Sequence, residues 1–332
     1  MLSCCLKNSR LFLCLITELI ISAFAAVSKA NIQKTLFFVT TLFSLPSQAD
    51  EPQAGYTMQT GYDTQAAYAT VDWTVAETLI ALDQPPLAVG DVKSYQTWVI
   101  EPQLPKNTID LGVRLQPNAE RIAALSHSFK SLTFIHSQFY AALNEKLAPY
   151  GKVYNVDFYK EGNAWENVVA ATQKIGDIIG KPQAAQQLLS QYQKDIDHYR
   201  PLLQPFTDRP IALVQFIDTR HLRIYGENSL LGEVIRQLGF KNAYTAQVNN
   251  WGFQNIDITE LAKLPSNTRF VVIKPYPSHI ATALTHNTLW QRLPLAKSPL
   301  ILPAVWTFGA LPSAQRFIGI FAHGLLQGGE QW

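Results

Sequence analysis

From residue 66 onward, short apolar runs alternate with segments in which apolar residues recur every three or four positions. This is the pattern of α/β layers built on largely parallel sheets. Residues 66–73, AAYATVDW, read as a strand, and AETLIAL at 76–82 then places Leu79, Ile80 and Leu82 on one helical face. Asn163 with Glu166 three positions on forms a capping box, and Trp165, Val168, Val169, Thr172, Ile175 and Ile179 follow at helical spacing until Gly180. Pro182 suits the first turn of the next helix, whose stripe is Ala185, Leu188, Tyr192, Ile196 and Tyr199, running through to Pro201. At about 20 residues it is roughly 30 Å long. Its narrow stripe and polar back (Gln183, Gln187, Gln191, Lys194, Asp197) predict a strut between two lobes. Beyond it the alternation restarts with strands at 211–217 and 221–226, then a helix at 228–239 capped by Asn228. Further strands are expected at 269–276 and 299–305, and a closing amphipathic helix at 313–327. No internal repeat is visible. The expected organisation is an α/β lobe at 66–180, a linking helix at 181–205 and a second α/β lobe at 206–328.

The first 49 residues differ from the rest and contain all three cysteines, Cys4, Cys5 and Cys14. Residues 34–49 read as a secretory signal peptide, with Lys29 and Lys34 before an apolar core and Ser47-Gln48-Ala49 as the small-residue cleavage pattern before Asp50. A second apolar stretch at 11–27 is interrupted by Glu18. It is best explained by a translation start placed too far upstream, with a membrane anchor as the alternative. Export to the periplasm is expected, with 50–65 as a flexible polar lead-in.

The 332 residues are 47% hydrophobic and only 16% charged, with a formal net charge of +2. Such a chain buries substantial cores and offers no basic field for nucleic acid. No GxSxG, phosphate loop, HExxH or CxxC motif occurs, so the usual signatures of hydrolases, nucleotide-dependent enzymes and zinc proteases are absent. No enzymatic activity is expected. The seven histidines are scattered and nominate no metal site.

Tryptophan stands out. Trp165 and Trp290 lie on apolar helical stripes and read as core. Trp73, Trp98, Trp251 and Trp306 instead fall at expected strand ends or in loops, where open α/β lobes form their ligand crevice. One cation, Arg114, sits in the otherwise uncharged run between Gly112 and the Pro117-Asn118 turn.

The runs Trp98-Val99-Ile100-Glu101-Pro102, Leu104-Pro105 and Asp110-Leu111-Gly112-Val113-Arg114-Leu115-Gln116-Pro117-Asn118 resemble the N-lobe signature of periplasmic ferric hydroxamate siderophore-binding proteins. So do Asp218-Thr219-Arg220-His221, Gly226-Glu227-Asn228-Ser229-Leu230, Asn250-Trp251-Gly252 and Pro303-Ala304-Val305-Trp306, in order, in the second lobe. The resemblance covers roughly residues 66–325. It implies two Rossmann-like lobes joined by a single long interlobe helix, the class III periplasmic binding protein fold. It also implies a monomeric receptor that hands a ferric hydroxamate siderophore to an inner-membrane ABC permease and its ATPase. Another iron chelate, haem or a corrinoid is the alternative ligand.

By the same resemblance Arg114 hydrogen-bonds hydroxamate oxygens, while Trp73, Trp98, Trp251 and Trp306 line the cleft. The iron arrives with its six-oxygen shell already full, so no protein metal ligand and no resident cofactor are implied. The family's second polar anchor is a tyrosine; here the ungapped position holds His136, with Tyr140 close by, and either could serve. Permease docking by one acidic residue per lobe points to Glu233 in the second lobe. In the first lobe the ungapped position falls on Ala141, which leaves Glu145.

Overall fold

The computed structural model describes residues 66–332. The signal-like run, the apolar stretch before it, the three cysteines and the lead-in all lie outside the described residues. Among those described, no helix is long and apolar enough to cross a membrane.

The first lobe is built on β1 (Ala67–Thr70), β2 (Ala88–Val89), β3 (Ile109–Asp110), β4 (Leu132–His136) and β5 (Lys152–Asn155). They lie in the order β3-β2-β1-β4-β5 with every pairing parallel. Parallel pairing requires a crossover after each strand, so the loops leaving the carboxyl ends gather on one edge of the sheet. The helices of this lobe are α1 (Trp73–Ala81), α2 (Val92–Trp98), α3 (Ala119–Ser128), α4 (Asn144–Leu147) and α5 (Ala164–Ile178). The link is α6 (Pro182–Leu203).

In the second lobe β6 (Ile211–Phe216), β7 (His221–Tyr225), β8 (Phe253–Asp257), β9 (Arg269–Ile273) and β10 (Leu300–Leu302) lie in the order β10-β9-β6-β7-β8. This sheet is mixed: β10, β9 and β6 are parallel, whereas β7 runs antiparallel to both its neighbours. Its helices are α7 (Leu230–Gln237), α8 (Ile280–Thr285), α9 (Thr288–Arg292) and α10 (Leu311–Gln327).

Several local expectations need correction. The strand expected at 66–73 stops at Thr70, because the Asp72 carboxylate accepts from the Thr74 amide at 3.0 Å and starts α1 at Trp73. Trp98 lies on a helix rather than in a loop: Asp91, at φ 52°, caps α2, and Trp98 is its last residue. Ser229, not Asn228, caps α7, accepting from Gly232 N at 2.9 Å. Asn228 reaches the other lobe instead, accepting from Ala164 N at 2.8 Å and donating to Gly162 O at 3.0 Å. It thereby holds the first turn of α5. Pro201 does not end α6, which continues to the fully buried Leu203.

The linking helix is not a free strut. One apolar core contains Leu79, Val168 and Ile175 of the first lobe, Tyr192 and Ile196 of α6, and Leu213, Leu231, Phe317 and Phe321 of the second. Trp165 packs on Tyr192 at 4.5 Å between ring centroids. Trp290 is buried in a second-lobe cluster with Phe216 and Phe270, so it sits in core as read, whereas Trp165 is only partly buried and packs against the core from its edge.

Candidate functional site

Arg114 lies in the loop that leaves β3. Gly112, at φ 80°, donates to Asp110 Oδ1 at 2.8 Å and accepts from Asp91 N at 2.8 Å. Asn118 closes the loop, its amide bonded to Leu111 O at 2.7 Å while its side chain caps α3 through Arg121 N at 2.9 Å. Held at both ends, the loop lays the Arg114 guanidinium over the indole of Trp73, with Cζ 3.7 Å from the ring centroid. Trp73 is itself fixed, since its Nε1 donates to Gly90 O at 2.8 Å. Gly90 makes room for the arginine stem: a Cβ there would lie 3.1 Å from Arg114 Cγ and 3.2 Å from Val71 Cα. The half-buried Arg114 side chain has no hydrogen bond or ion pair with any described residue. Its five donors remain available.

From this stack an aromatic chain runs across the two lobes. Trp73 meets Trp306 edge-on at 5.3 Å, Trp306 meets Phe308 at 5.4 Å, and Phe308 meets Trp251 at 5.8 Å. Trp251 then returns to the first lobe, stacking on Tyr159 at 5.2 Å and 20° and touching the edge of Phe139 at 5.6 Å. The Trp251 loop depends on Gly252. It has φ 79°, and a Cβ there would come within 2.3 Å of Ser229 Cβ. Three of the four tryptophans singled out by position therefore join one wall. Trp98 does not: it is 36% exposed and has no ring partner among the described residues.

His136 and Tyr140 separate on their hydrogen bonds. The Asn144 amide donates to Asn155 Oδ1 at 2.7 Å, so its carbonyl oxygen faces His136, whose Nε2 must donate across 2.8 Å. His136 is fully buried, and burial pushes its pKa down, keeping the ring neutral with its one N–H already used. It is not the free donor the sequence allowed. Tyr140 is also buried, beside Phe139 at 5.0 Å, and its hydroxyl is held protonated chiefly by burial, with the nearby Arg114 charge pulling the other way. That hydroxyl has no partner among the described residues, leaving a neutral donor within the field of Arg114.

Of the two acids, Glu145 is exposed on α4. Glu233 is not the exposed helical glutamate its position suggests. It is 8% exposed and locked to Arg236 by two bonds of 2.7 and 2.6 Å, with Gln237 adding a third at 2.8 Å. The arginine one turn on closes over it.

Sequence reasoning missed the fastening between lobes. Glu77 is completely buried and accepts from Ala310 N and Ser313 Oγ at the start of α10, while Thr74 Oγ1 donates to Phe308 O at 2.6 Å and Tyr159 to Gly309 O. In sequence Glu77 reads as the solvated side of a helix, and nothing local marks it otherwise. Burial pushes its pKa up to about 8 from an ordinary 4.5. Over that window the folded state holds a proton that the unfolded chain has lost, so stability falls as pH rises from about 4.5 to 8. Glu77→Gln removes this dependence. Scanning calorimetry should show the melting temperature of the variant, relative to the parent, rising by roughly 5 °C between pH 5 and pH 9. A constant difference would mean that Glu77 titrates normally.

Comparison with known proteins agrees with this architecture. Residues 69–298 match the family model described as periplasmic binding protein. The iron(3+)-hydroxamate-binding protein FhuD of Escherichia coli (strain K12) is 31% identical over 254 residues, covering 75% of this chain and 83% of that protein. The ferric-anguibactin-binding protein FatB of Vibrio anguillarum is 29% identical over 181 residues, or 53% of this chain and 54% of that one. Among solved structures, the Fe3+–Desferal-bound siderophore binding protein FhuD from Vibrio cholerae superposes with a TM-score of 0.72 at 22% identity, covering 80% of this chain and 99% of that one. The triscatecholate siderophore binding protein FeuA from Bacillus subtilis gives 0.58 at 16%, with 78% and 92% covered. These structures share the fold, two α/β lobes on one long helix. With a family model matched over most of the chain and a relative matched over most of its length, the chain belongs to the periplasmic binding protein family.

Proposed function

We propose that this protein is an exported receptor that binds a ferric hydroxamate siderophore and delivers it to an inner-membrane ABC permease. The observation that carries the reading is the Arg114 guanidinium, without a polar partner among the described residues, 3.7 Å above Trp73 and beside an aromatic wall drawn from both lobes. A trihydroxamate surrounds Fe3+ with six oxygens, three of them formally anionic. The complex is neutral overall yet presents an electron-rich oxygen face. The planar fork of Arg114 matches that face, and Tyr140 supplies the second donor in place of His136. Trp73, Trp251 and Trp306 cover the methylene arms, each Å² of apolar surface removed from water contributing about 25 cal/mol. The iron complex is cargo, gripped from outside, so the site needs no metal ligand and no resident cofactor.

Several further points belong to the same proposal. The signal-like run at 34–49 directs export, and the protein acts as a monomer in the periplasm with no catalytic step. Trp98 would reach the ligand only from the rim. Glu145 is the docking acid of the first lobe; Glu233 could serve in the second only by releasing Arg236. The core shared through α6 favours small lobe movements on loading.

Titration of intrinsic tryptophan fluorescence tests the reading directly. Ferric hydroxamates should quench saturably, while a ferric catecholate, carrying three negative charges, should bind far more weakly. Flat titrations with every hydroxamate would reject the function.

A further inference from the structure

The second lobe carries a guanidinium in a setting much like that of Arg114. Arg223 lies in the middle of β7, opposite Gln215 of β6 and Asn255 of β8. Its neighbours Leu222 and Ile224 point into the second-lobe cluster, so the strand's alternation puts Arg223 and Tyr225 on the other face, where Tyr225 joins the core shared with the first lobe. There the Arg223 Cζ lies 5.5 Å from the Phe253 ring centroid and 5.4 Å from that of Phe308, the ring touching both Trp251 and Trp306.

Its polar contacts do not account for its charge. Nη1 donates to Gln215 Oε1 at a long 3.3 Å, and Nε is buried with no partner. The Gln215 amide is already fixed, since its Nε2 donates to Pro275 O at 3.1 Å. No carboxylate lies within ion-pairing distance among the described residues, whereas Arg220, Arg236 and Arg316 each have one. A half-buried cation with an orphaned donor is costly, and two aromatic rings recover only part of that cost. An apolar residue would pack here more favourably, unless an anionic oxygen arrives to complete the site.

We propose that Arg223 is a second cationic anchor of the cleft, contributed by the second lobe and directed at anionic oxygens of the bound iron chelate. This rests on the siderophore-binding reading. The oxygens belong either to the hydroxamates or to carboxylates carried on the chelate's frame, and two probes separate these sources. Ferrichrome has anionic oxygens only on its hydroxamates; ferrichrome A adds carboxylates.

The test uses the full chain, its Arg223→Met and Arg223→Lys variants, fluorescence titration with each probe, and thermal melting. Arg223→Met should weaken binding by roughly tenfold while leaving the melting temperature unchanged or raised, and Arg223→Lys, which keeps the charge but not the fork, should recover part of the loss. Loss with both probes assigns the hydroxamate oxygens; loss with ferrichrome A alone assigns carboxylates. If the parent binds but Arg223→Met binds both probes equally well, the anchor is refuted and the functional reading stands. A similar loss in both variants together with a lowered melting temperature also refutes it, marking Arg223 as structural. If the parent binds neither probe nor any other ferric hydroxamate, the functional reading itself fails; if it binds another one only, that chelate replaces ferrichrome in the same comparison.

Discussion

Replacing Arg114 with alanine is expected to weaken ferric hydroxamate binding by roughly a hundredfold while leaving the fold intact. The magnitude follows from losing two charge-assisted hydrogen bonds in a partly dehydrated cleft, each of about 1.5–3 kcal/mol, less the share that water restores. The fold should survive because Arg114 bonds to no described residue and its loop is held by Gly112, Asp110 and Asn118 through backbone and Asx contacts. Only the stacking on Trp73 is lost, so the melting temperature should move by no more than about 2 °C. Arg114→Lys keeps the charge but not the fork and should fall between parent and alanine variant. Fluorescence titration and thermal melting on the same samples decide the matter. Equal affinity in parent and alanine variant would remove Arg114 from the site, and a collapse in melting temperature would make it structural.

Trp251→Ala is expected to weaken binding by roughly thirtyfold and also to lower stability. Buried aromatic anchors at the centre of a contact surface commonly contribute 2 kcal/mol or more. Half-buried Trp251 is packed as such an anchor would be, stacked on Tyr159 and meeting Phe139 and Phe308 edge-on. Its removal leaves a hole between the lobes that both ligand contact and interlobe packing should register. Trp251→Phe retains a ring and should keep most of both. The quenching amplitude supplies an independent reading: it should drop in both variants, because an indole adjacent to the iron complex has gone. Unchanged amplitude would place the quencher beside other tryptophans.

The features legible in the sequence are those with local causes. The cap at Asn163, the first-turn proline at 182 and the turn flanking Arg114 all act within a few residues, and each is where the pattern predicted it. Trp251 and Trp306 were recognisable because a bulky aromatic between Asn250 and Gly252, or just after Pro303, has no helical or strand stripe to join. Strands β2 and β3 are only two residues long, and edge strands β5 and β8 are half exposed, so none shows an apolar run. Trp98 was misplaced because a polar stretch started by an aspartate cap looks the same as a loop. The remaining misses depend on partners far away in the chain. Glu77 meets Ser313 at a separation of 236 residues, and Asn228 turns from its own helix to one 64 residues earlier. The burial of Glu233 was not legible for a nearer reason: Arg236 lies on the same helix, but burial decides whether such a pair is surface decoration or a closed unit.

The core that passes through α6 bears on how the molecule can be taken apart. Leu79 and Ile175 from one side, Tyr192 and Ile196 from the link, and Phe317 and Phe321 from the other share a single interior, and α10 bonds back to Glu77 on α1. Cutting the polypeptide at the link would strip apolar surface from both halves at once, so neither is a cassette that could be expressed or exchanged separately. Each half is a complement of the other, and a newly made chain can complete its first lobe only after Ala310 and Ser313 have emerged.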